Sequence, residues 1–403
     1  MEENKKNESP ETVETAKADK VPAAPAPKES PAINEFWDFN ASWITMVIYV
    51  AYLGGMIFLA RYYFNSTMNP NDNYYVFLFI PFLIGLAGSA LLYNVFKTAV
   101  AKIAGFKVVY FRILGILFDH SGKKTRCSYD VTKFDQMELK FAPENGDTKK
   151  NPAPVFLGGL LGELLFIGAA LGIYFGVKNS NSFVSGAALF AMIYGLVIPL
   201  YEFMPLRQDN PTDLFNLVMT KNMEQRTAFN IVSLNREYEL SGKDFLFARF
   251  EDTSYYPIHV LYNVYLDDLY QNRLEEAVKD LKKLKKYSFR LDEGEHYLPD
   301  SESIYIHYIC DDENGAEKIY MKMNGDKHSA TNPSLLSDYR TAIMIEGFIS
   351  SDKEMLTKTI TGYKKKIQGL EKSPRVEKEE AMFEQAYKKI REKKPNLKLP
   401  ENI

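Results

Sequence analysis

Four ionisable side chains fall within or beside long apolar runs of the chain: Lys97, Glu163, Glu202 and Asp213. Asn94 is a fifth polar residue in the same surroundings. Ionisable groups at membrane depth are costly, so where they occur they pair with one another, line a pathway or hold a ligand. A buried ammonium needs a partner or gives up its proton. Lys97 and Asp213 are therefore expected to form an ion pair, with Glu202 or Glu163 as further partners. The alternative is a lysine whose aliphatic stem runs along apolar surface and delivers the ammonium to the interface. For Glu163 the plainer expectation is a protonated carboxyl, hydrogen-bonded between helices. The Gly158-x-x-x-Gly162 spacing points to close helix packing.

Placing these groups requires helices that cross a bilayer. A hydrocarbon core of about 30 Å takes about 20 helical residues. Four segments reach that length: 43–64, 74–104, 155–177 and 183–204. The second outruns the membrane at about 1.5 Å per residue, and Pro81 offers a place to bend. Basic residues crowd the stretch from Lys97 to Lys150, whereas 65–73 and 178–182 are short and nearly uncharged. Basic loops stay on the cytoplasmic side, which puts both termini there, with the cell membrane as the expected location.

The segments between and after the spans have their own periodicities. Phe106–Ile113 and Gln136–Phe141 alternate and predict short strands, with a turn at Asp119–Lys123. Beyond Pro205 the pattern becomes soluble and helical. Leu261–Tyr270 and Leu274–Leu281 read as a helical hairpin whose Tyr270, Leu274 and Ala277 resemble a tetratricopeptide repeat. Ser303–Met323 and Ser334–Ser350 are expected to be further pairs, and a generic helical bundle is the alternative. Met382, Phe383, Ala386, Tyr387 and Ile390 mark an amphipathic last helix. Residues 1–36 are polar, charged and Pro/Ala-rich, which predicts a disordered cytoplasmic tail without a signal peptide. The expected class is a mainly α polytopic membrane protein, with a membrane domain over 37–215 and a cytoplasmic helical domain over 216–403.

Composition removes several functions. A net charge of -3, without a basic stripe interleaved with aromatics, sets nucleic acid aside. Cys127 and Cys310 stand far apart, against a disulfide framework or a thiolate zinc site. No G-x-x-x-x-G-K-[ST] loop and no Gly-x-Ser-x-Gly motif is present.

From Tyr74 to Phe215 the order and spacing of Tyr93-Asn94-Val95-Phe96-Lys97, Gly105-Phe106-Lys107, Phe156–Glu163 and Glu202–Asp213 resemble the site-2 protease family of intramembrane zinc metalloproteases. That family carries H-E-x-x-H on a membrane helix, then Gly-x-Lys and a strand. Here Tyr93-Asn94-Val95-Phe96-Lys97 is followed by Gly105-Phe106-Lys107 and the strand from Val108. The family's third membrane helix opens with a Gly-rich turn, matched by Phe156–Glu163. Its last signature, Asn-x-x-Pro and then the Asp that is the third zinc ligand, corresponds to Glu202-Phe203-Met204-Pro205 and Asn210-Pro211-Thr212-Asp213. Two histidines at i and i+4 would present neutral nitrogens to zinc, with the Glu between as general base. Tyr93 and Lys97 stand in the histidine positions and Asn94 in the glutamate position, so only Asp213 survives as a ligand-type residue. His120, His259, His296, His307 and His328 all lie outside the four spans, and none is four residues from another.

The resemblance therefore implies an inactive relative of a metalloprotease, with neither catalytic residues nor zinc in the membrane site. Such a protein would bind a membrane helix or peptide client in the bilayer and recruit a protein partner through its cytoplasmic helices. The alternatives are an accessory subunit of a membrane transporter or exporter and, least favoured, an active membrane metalloendopeptidase with a relocated site.

Overall fold

The computed structural model describes residues 42–68, 72–113, 115–120, 125–129, 138–204, 207, 211–241, 245–323, 331, 333, 335–370 and 372–399. The tail over 1–36, Ser121–Lys123 of the predicted turn, Pro205, Asn210 and His328 lie outside the described residues.

Backbone polar groups in hydrocarbon must be satisfied within their own segment, so long apolar runs become helices. They are α1 (Ser42–Thr67), α2 (Tyr74–Ile103), α3 (Ala153–Val177), α4 (Ser182–Gly195) and α5 (Val197–Glu202). Asn73 caps α2 by accepting from the N–H groups of Tyr75 and Val76, and Asn181 caps α4 through Val184. Such caps satisfy donors that the first turn leaves open. Three described helices are long and apolar enough to cross a membrane: α2, α3 and the Ser182–Glu202 run formed by α4 and α5. Their outward faces carry exposed Leu83, Leu91, Leu161, Leu164 and Phe175.

The last of these spans is interrupted at Leu196, between α4 and α5. Pro199 is the cause. It has no N–H to return to the carbonyl four residues earlier, and that carbonyl belongs to Gly195. Ser89 of α2 places its hydroxyl 3.0 Å from Gly195 O and replaces the missing donor.

Helix α2 is the centre of the membrane part, packed against both α3 and α4. The α2–α3 approach depends on glycine. A Cβ at Gly162 would lie 2.2 Å from Leu92 O, and one at Gly159 would lie 2.2 Å from the Tyr93 ring. Helix α1 joins this group through Ala60, which clusters with Phe77, Phe190 and Tyr194.

At the far end of α2 the chain forms a four-stranded antiparallel sheet in the order β3-β2-β1-β4. The strands are β1 (Phe106–Ile113), β2 (Ile116–Asp119), β3 (Arg126–Tyr129) and β4 (Glu138–Pro143). β2 pairs with β1 in a register that places Asp119 opposite Tyr110. Asp119 ends β2 and stands opposite Arg126 of the antiparallel β3, so the chain reverses direction after it. β2 and β3 each span only four residues, too short for alternation to reveal. Phe106 and Phe141 pack with Ala101 of α2 and Val155 of α3. Val109, Tyr110 and Ala142 pack with Leu234 on α7 (Met223–Ser241). The sheet is a wedge between the membrane helices and the helices that follow.

Those helices are α6 (Asp213–Met219), α7, α8 (Tyr255–Tyr270), α9 (Leu274–Lys286), α10 (Leu298–Ile309), α11 (Glu313–Lys322), α12 (Leu336–Met344), α13 (Lys353–Gln368) and α14 (Pro374–Lys393). They share one apolar core running from Phe215 to Leu397. Ser303–Met323 falls on a pair, α10 and α11. Ser334–Ser350 does not: there α12 passes directly into a π-helical turn over Ile345–Ser350. Helices α7 and α13 have no counterpart in the sequence reading, because mixed polar faces hide their buried positions.

Candidate functional site

Lys97 and Tyr93 lie one turn apart on α2, and both are among its buried residues. Side chains four apart on a helix share a face, so both reach the same partner. Lys97 Nζ lies 2.6 Å from Asp213 Oδ1, with side-chain exposures of 10% and 3%. Tyr93 OH donates to Asp213 Oδ2 at 2.7 Å. The ammonium also lies 5.7 Å from the centroid of the Tyr93 ring.

Asp213 is held from behind as well. It occupies the first turn of α6, where Thr212 caps the helix by accepting from Phe215 N–H. A carboxylate is favoured at a helix N-terminus by the backbone dipoles. Glu202, the last residue of α5, accepts the Asp213 backbone N–H through Oε2 at 3.0 Å. Thr212 donates its hydroxyl to Met204 O at 2.5 Å. The pair therefore joins α2 to α6, beyond the last span, and Glu202 supplies the link to that span.

Glycine forms the floor of the site. Gly159 of α3 lies directly against the Tyr93 ring, and any Cβ there would intrude on it. The Gly-rich opening of α3 thus lets α2 approach closely enough for Tyr93 and Lys97 to reach α6.

Glu163 belongs to a second polar set deeper in the bundle. Its Oε2 lies 2.5 Å from Ser89 Oγ, whose other neighbour is Gly195 O at 3.0 Å. One hydroxyl proton cannot serve both acceptors. A carboxylic acid at Glu163, donating to Ser89 while Ser89 donates to Gly195, closes the chain. The Asn94 amide donates to Ala90 O at 2.8 Å, within its own helix.

Four sequence-predicted residues, Tyr93, Lys97, Glu202 and Asp213, therefore meet in one place, and Glu163 meets Ser89 instead. Ser89 was missed. Its signal was the pairing of a lone serine in an apolar helix with a proline that frees a carbonyl in another. Comparison with known proteins finds no matching family model, no matching curated protein and no matching solved structure.

Proposed function

We propose that this chain is a catalytically inactive relative of the site-2 proteases. In this reading it spans the cell membrane four times, with α1 as the first span, and both termini are cytoplasmic. It holds a membrane helix or peptide without cutting it, and its helical domain, built on tetratricopeptide-like hairpins, recruits a protein partner.

The observation that carries the proposal is the engagement of Asp213. Both carboxylate oxygens are already used, one by the Lys97 ammonium and one by the Tyr93 hydroxyl. Lys97 is a fixed positive charge where a divalent ion would have to bind, and like charges at that distance repel strongly in a buried setting. Asn94, which would stand for the general base, is an amide that cannot take up a proton as a carboxylate does, and it donates to Ala90 O. The ion pair does mechanically what a shared metal would do: it fastens α2 to the segment after the last span.

Two further features support a holding role. The sheet ends in an outer strand, β3, whose Cys127, Ser128 and Tyr129 are exposed. Outer strands accept extended peptides through backbone hydrogen bonds. On the other side, Lys107 of β1 pairs with Glu237 of α7 at 2.7 Å, so the sheet is anchored to the helical part.

Elemental analysis of protein purified in mild detergent without chelator tests the reading, with Asp213→Ala beside it. The expected result is no zinc that depends on Asp213. Near-stoichiometric zinc that disappears in Asp213→Ala would overturn the inactive-enzyme reading and favour a metalloendopeptidase.

A further inference from the structure

Outside the membrane helices, three potential metal-binding side chains converge on one point. His259 sits on α8. Asp292 and Glu295 flank the short turn between α9 and α10. His259 Nε2 lies 3.5 Å from Asp292 Oδ1 and 3.9 Å from Glu295 Oε2. The three ligand atoms all fall within 4.8 Å of one another.

The imidazole is oriented as a ligand would be. Its Nδ1 lies 2.8 Å from the Tyr255 carbonyl, one turn earlier on α8. A carbonyl only accepts, so the proton is on Nδ1, and in the neutral ring the Nε2 lone pair faces the two carboxylates. Nε2 is buried and makes no hydrogen bond. Asp292 is oriented in turn by Tyr255 OH, which donates to Oδ1 at 2.7 Å. Metal-binding histidines show this arrangement, the second nitrogen spent on a carbonyl and the carboxylates themselves hydrogen-bonded.

The separations are also of the right size. Bonds of about 2.0–2.2 Å at tetrahedral angles put neighbouring ligand atoms about 3.3–3.6 Å apart. The 3.5 Å edge fits, and the 3.9 Å edge closes with a small movement of Glu295, whose side chain is 41% exposed. A cation between them would be met by the Nε2 lone pair and a carboxylate oxygen from each acid.

We propose that His259, Asp292 and Glu295 bind a divalent cation of the zinc class, with one position left for water, fastening the 292–295 turn to α8. One imidazole nitrogen and two carboxylate oxygens suit zinc better than a soft ion that prefers thiolate. The competitor is a proton. Burial lowers the His259 pKa, but hydrogen bonding and charge from Asp292, with Glu295, outweigh it and raise the value to about 9. Lys140 of β4 also acts on Asp292, and the Arg207 guanidinium lies 5.9 Å from the centroid of the Tyr255 ring.

This site is separate from the Asp213 site but braces it. Tyr255 packs edge-on against Phe215, with ring centroids 5.8 Å apart, and Phe215 lies on α6 two residues after Asp213. An ion here would stiffen the wall against which α6 rests.

The test uses the full chain in mild detergent, stripped with chelator and titrated with Zn²⁺ by calorimetry and with Co²⁺ by visible absorption. One equivalent should bind, with the intense d–d bands of a tetrahedral site. His259→Gln and Glu295→Gln should each weaken binding by at least about tenfold, the lower bound for disturbing even the groups around a metal. His307→Gln, on an exposed pair with Asp312, should leave binding unchanged. Glu295→Gln keeps the test sound, because an exposed substitution leaves the metal-free melting curve in place. Absence of saturable Zn²⁺ binding, binding undiminished in both variants, or loss in Asp213→Ala alone would each overturn the proposal.

Discussion

Two buried clusters in this protein use the same chemistry for different ends. In the helical domain Arg340, fully buried, lies 2.8 Å from Glu302 and 3.5 Å from Glu379. Tyr262 and Tyr265 donate to Glu302, Tyr270 donates to Glu379, and the guanidinium stacks on Tyr305 at 4.6 Å. At the membrane end of the molecule Lys97 faces Asp213, Tyr93 donates to Asp213, and Glu202 holds its backbone. Each cluster has one cation, two carboxylates and at least one tyrosine. The first ties α8, α10, α12 and α14, helices that already share one apolar core. The second joins α2 to the seven-residue helix α6, across the end of the last span. A planar guanidinium with several fixed donors locks a core, whereas a lysine is a point charge on a flexible stem. The comparison separates a structural knot from a junction between two parts of the chain.

The largest effect should come from cutting the knot. Arg340→Met leaves two buried carboxylates without a cation and should cost about 3–5 kcal/mol, seen as a lowered thermal midpoint of the helical signal. If the midpoint hardly moves, the network is not what holds these helices together.

A buried acid without such a cation gives the next contrast. Glu346, in the π-helical turn, is buried and donates nothing to the core; it accepts from Thr359 at 2.8 Å. Burial raises its pKa from 4.5 to about 7, with the Thr359 hydrogen bond opposing and Asp352 and Lys358 adding smaller effects. The folded state then binds more protons than the unfolded state between those values. Stability should fall as pH rises through that window, by about 3 kcal/mol at about 1.4 kcal/mol per unit. In Glu346→Gln the slope from this group should vanish. A slope that persists in the variant would assign it to another group.

The junction should show a smaller, pairwise effect. A cycle of Lys97→Met, Asp213→Asn and the double variant should give a coupling of about 1–3 kcal/mol. Neutral substitutions are preferable to charge reversal, because a lysine at the start of α6 would oppose the helix dipole. Additive losses would mean that the two charges are neighbours without being partners.

Gly159→Ala should have the smallest effect, about 1–2 kcal/mol from overpacking and a weakened Tyr93–Asp213 hydrogen bond. If that hydrogen bond matters, Gly159→Ala in a Tyr93→Phe background should cost less than in the natural protein.

Much of the membrane part was legible from residue order. Hydrocarbon thickness sets the length of an apolar helix, so α2 and α3 are readable from composition, and Lys97 and Asp213 stand out against it. The break at Leu196 was implicit in Pro199 but needed Ser89 to give it meaning. β2 and β3 were not legible, because four residues cannot show a period. Nor was the π-helical turn, whose residues read as an ordinary helix.

The sequence by itself determined which segments are apolar enough for hydrocarbon and which buried charges would demand partners. Both follow from the cost of taking a residue out of water, which each residue carries wherever it sits. Only the tertiary structure decided which charge meets which. It placed Asp213 within reach of Lys97 and Tyr93, and brought His259 to Asp292 and Glu295 across the α9 hairpin. Pairing depends on distances between atoms far apart in the chain, and those are set by helix packing, here by glycines that let α2 and α3 nearly touch.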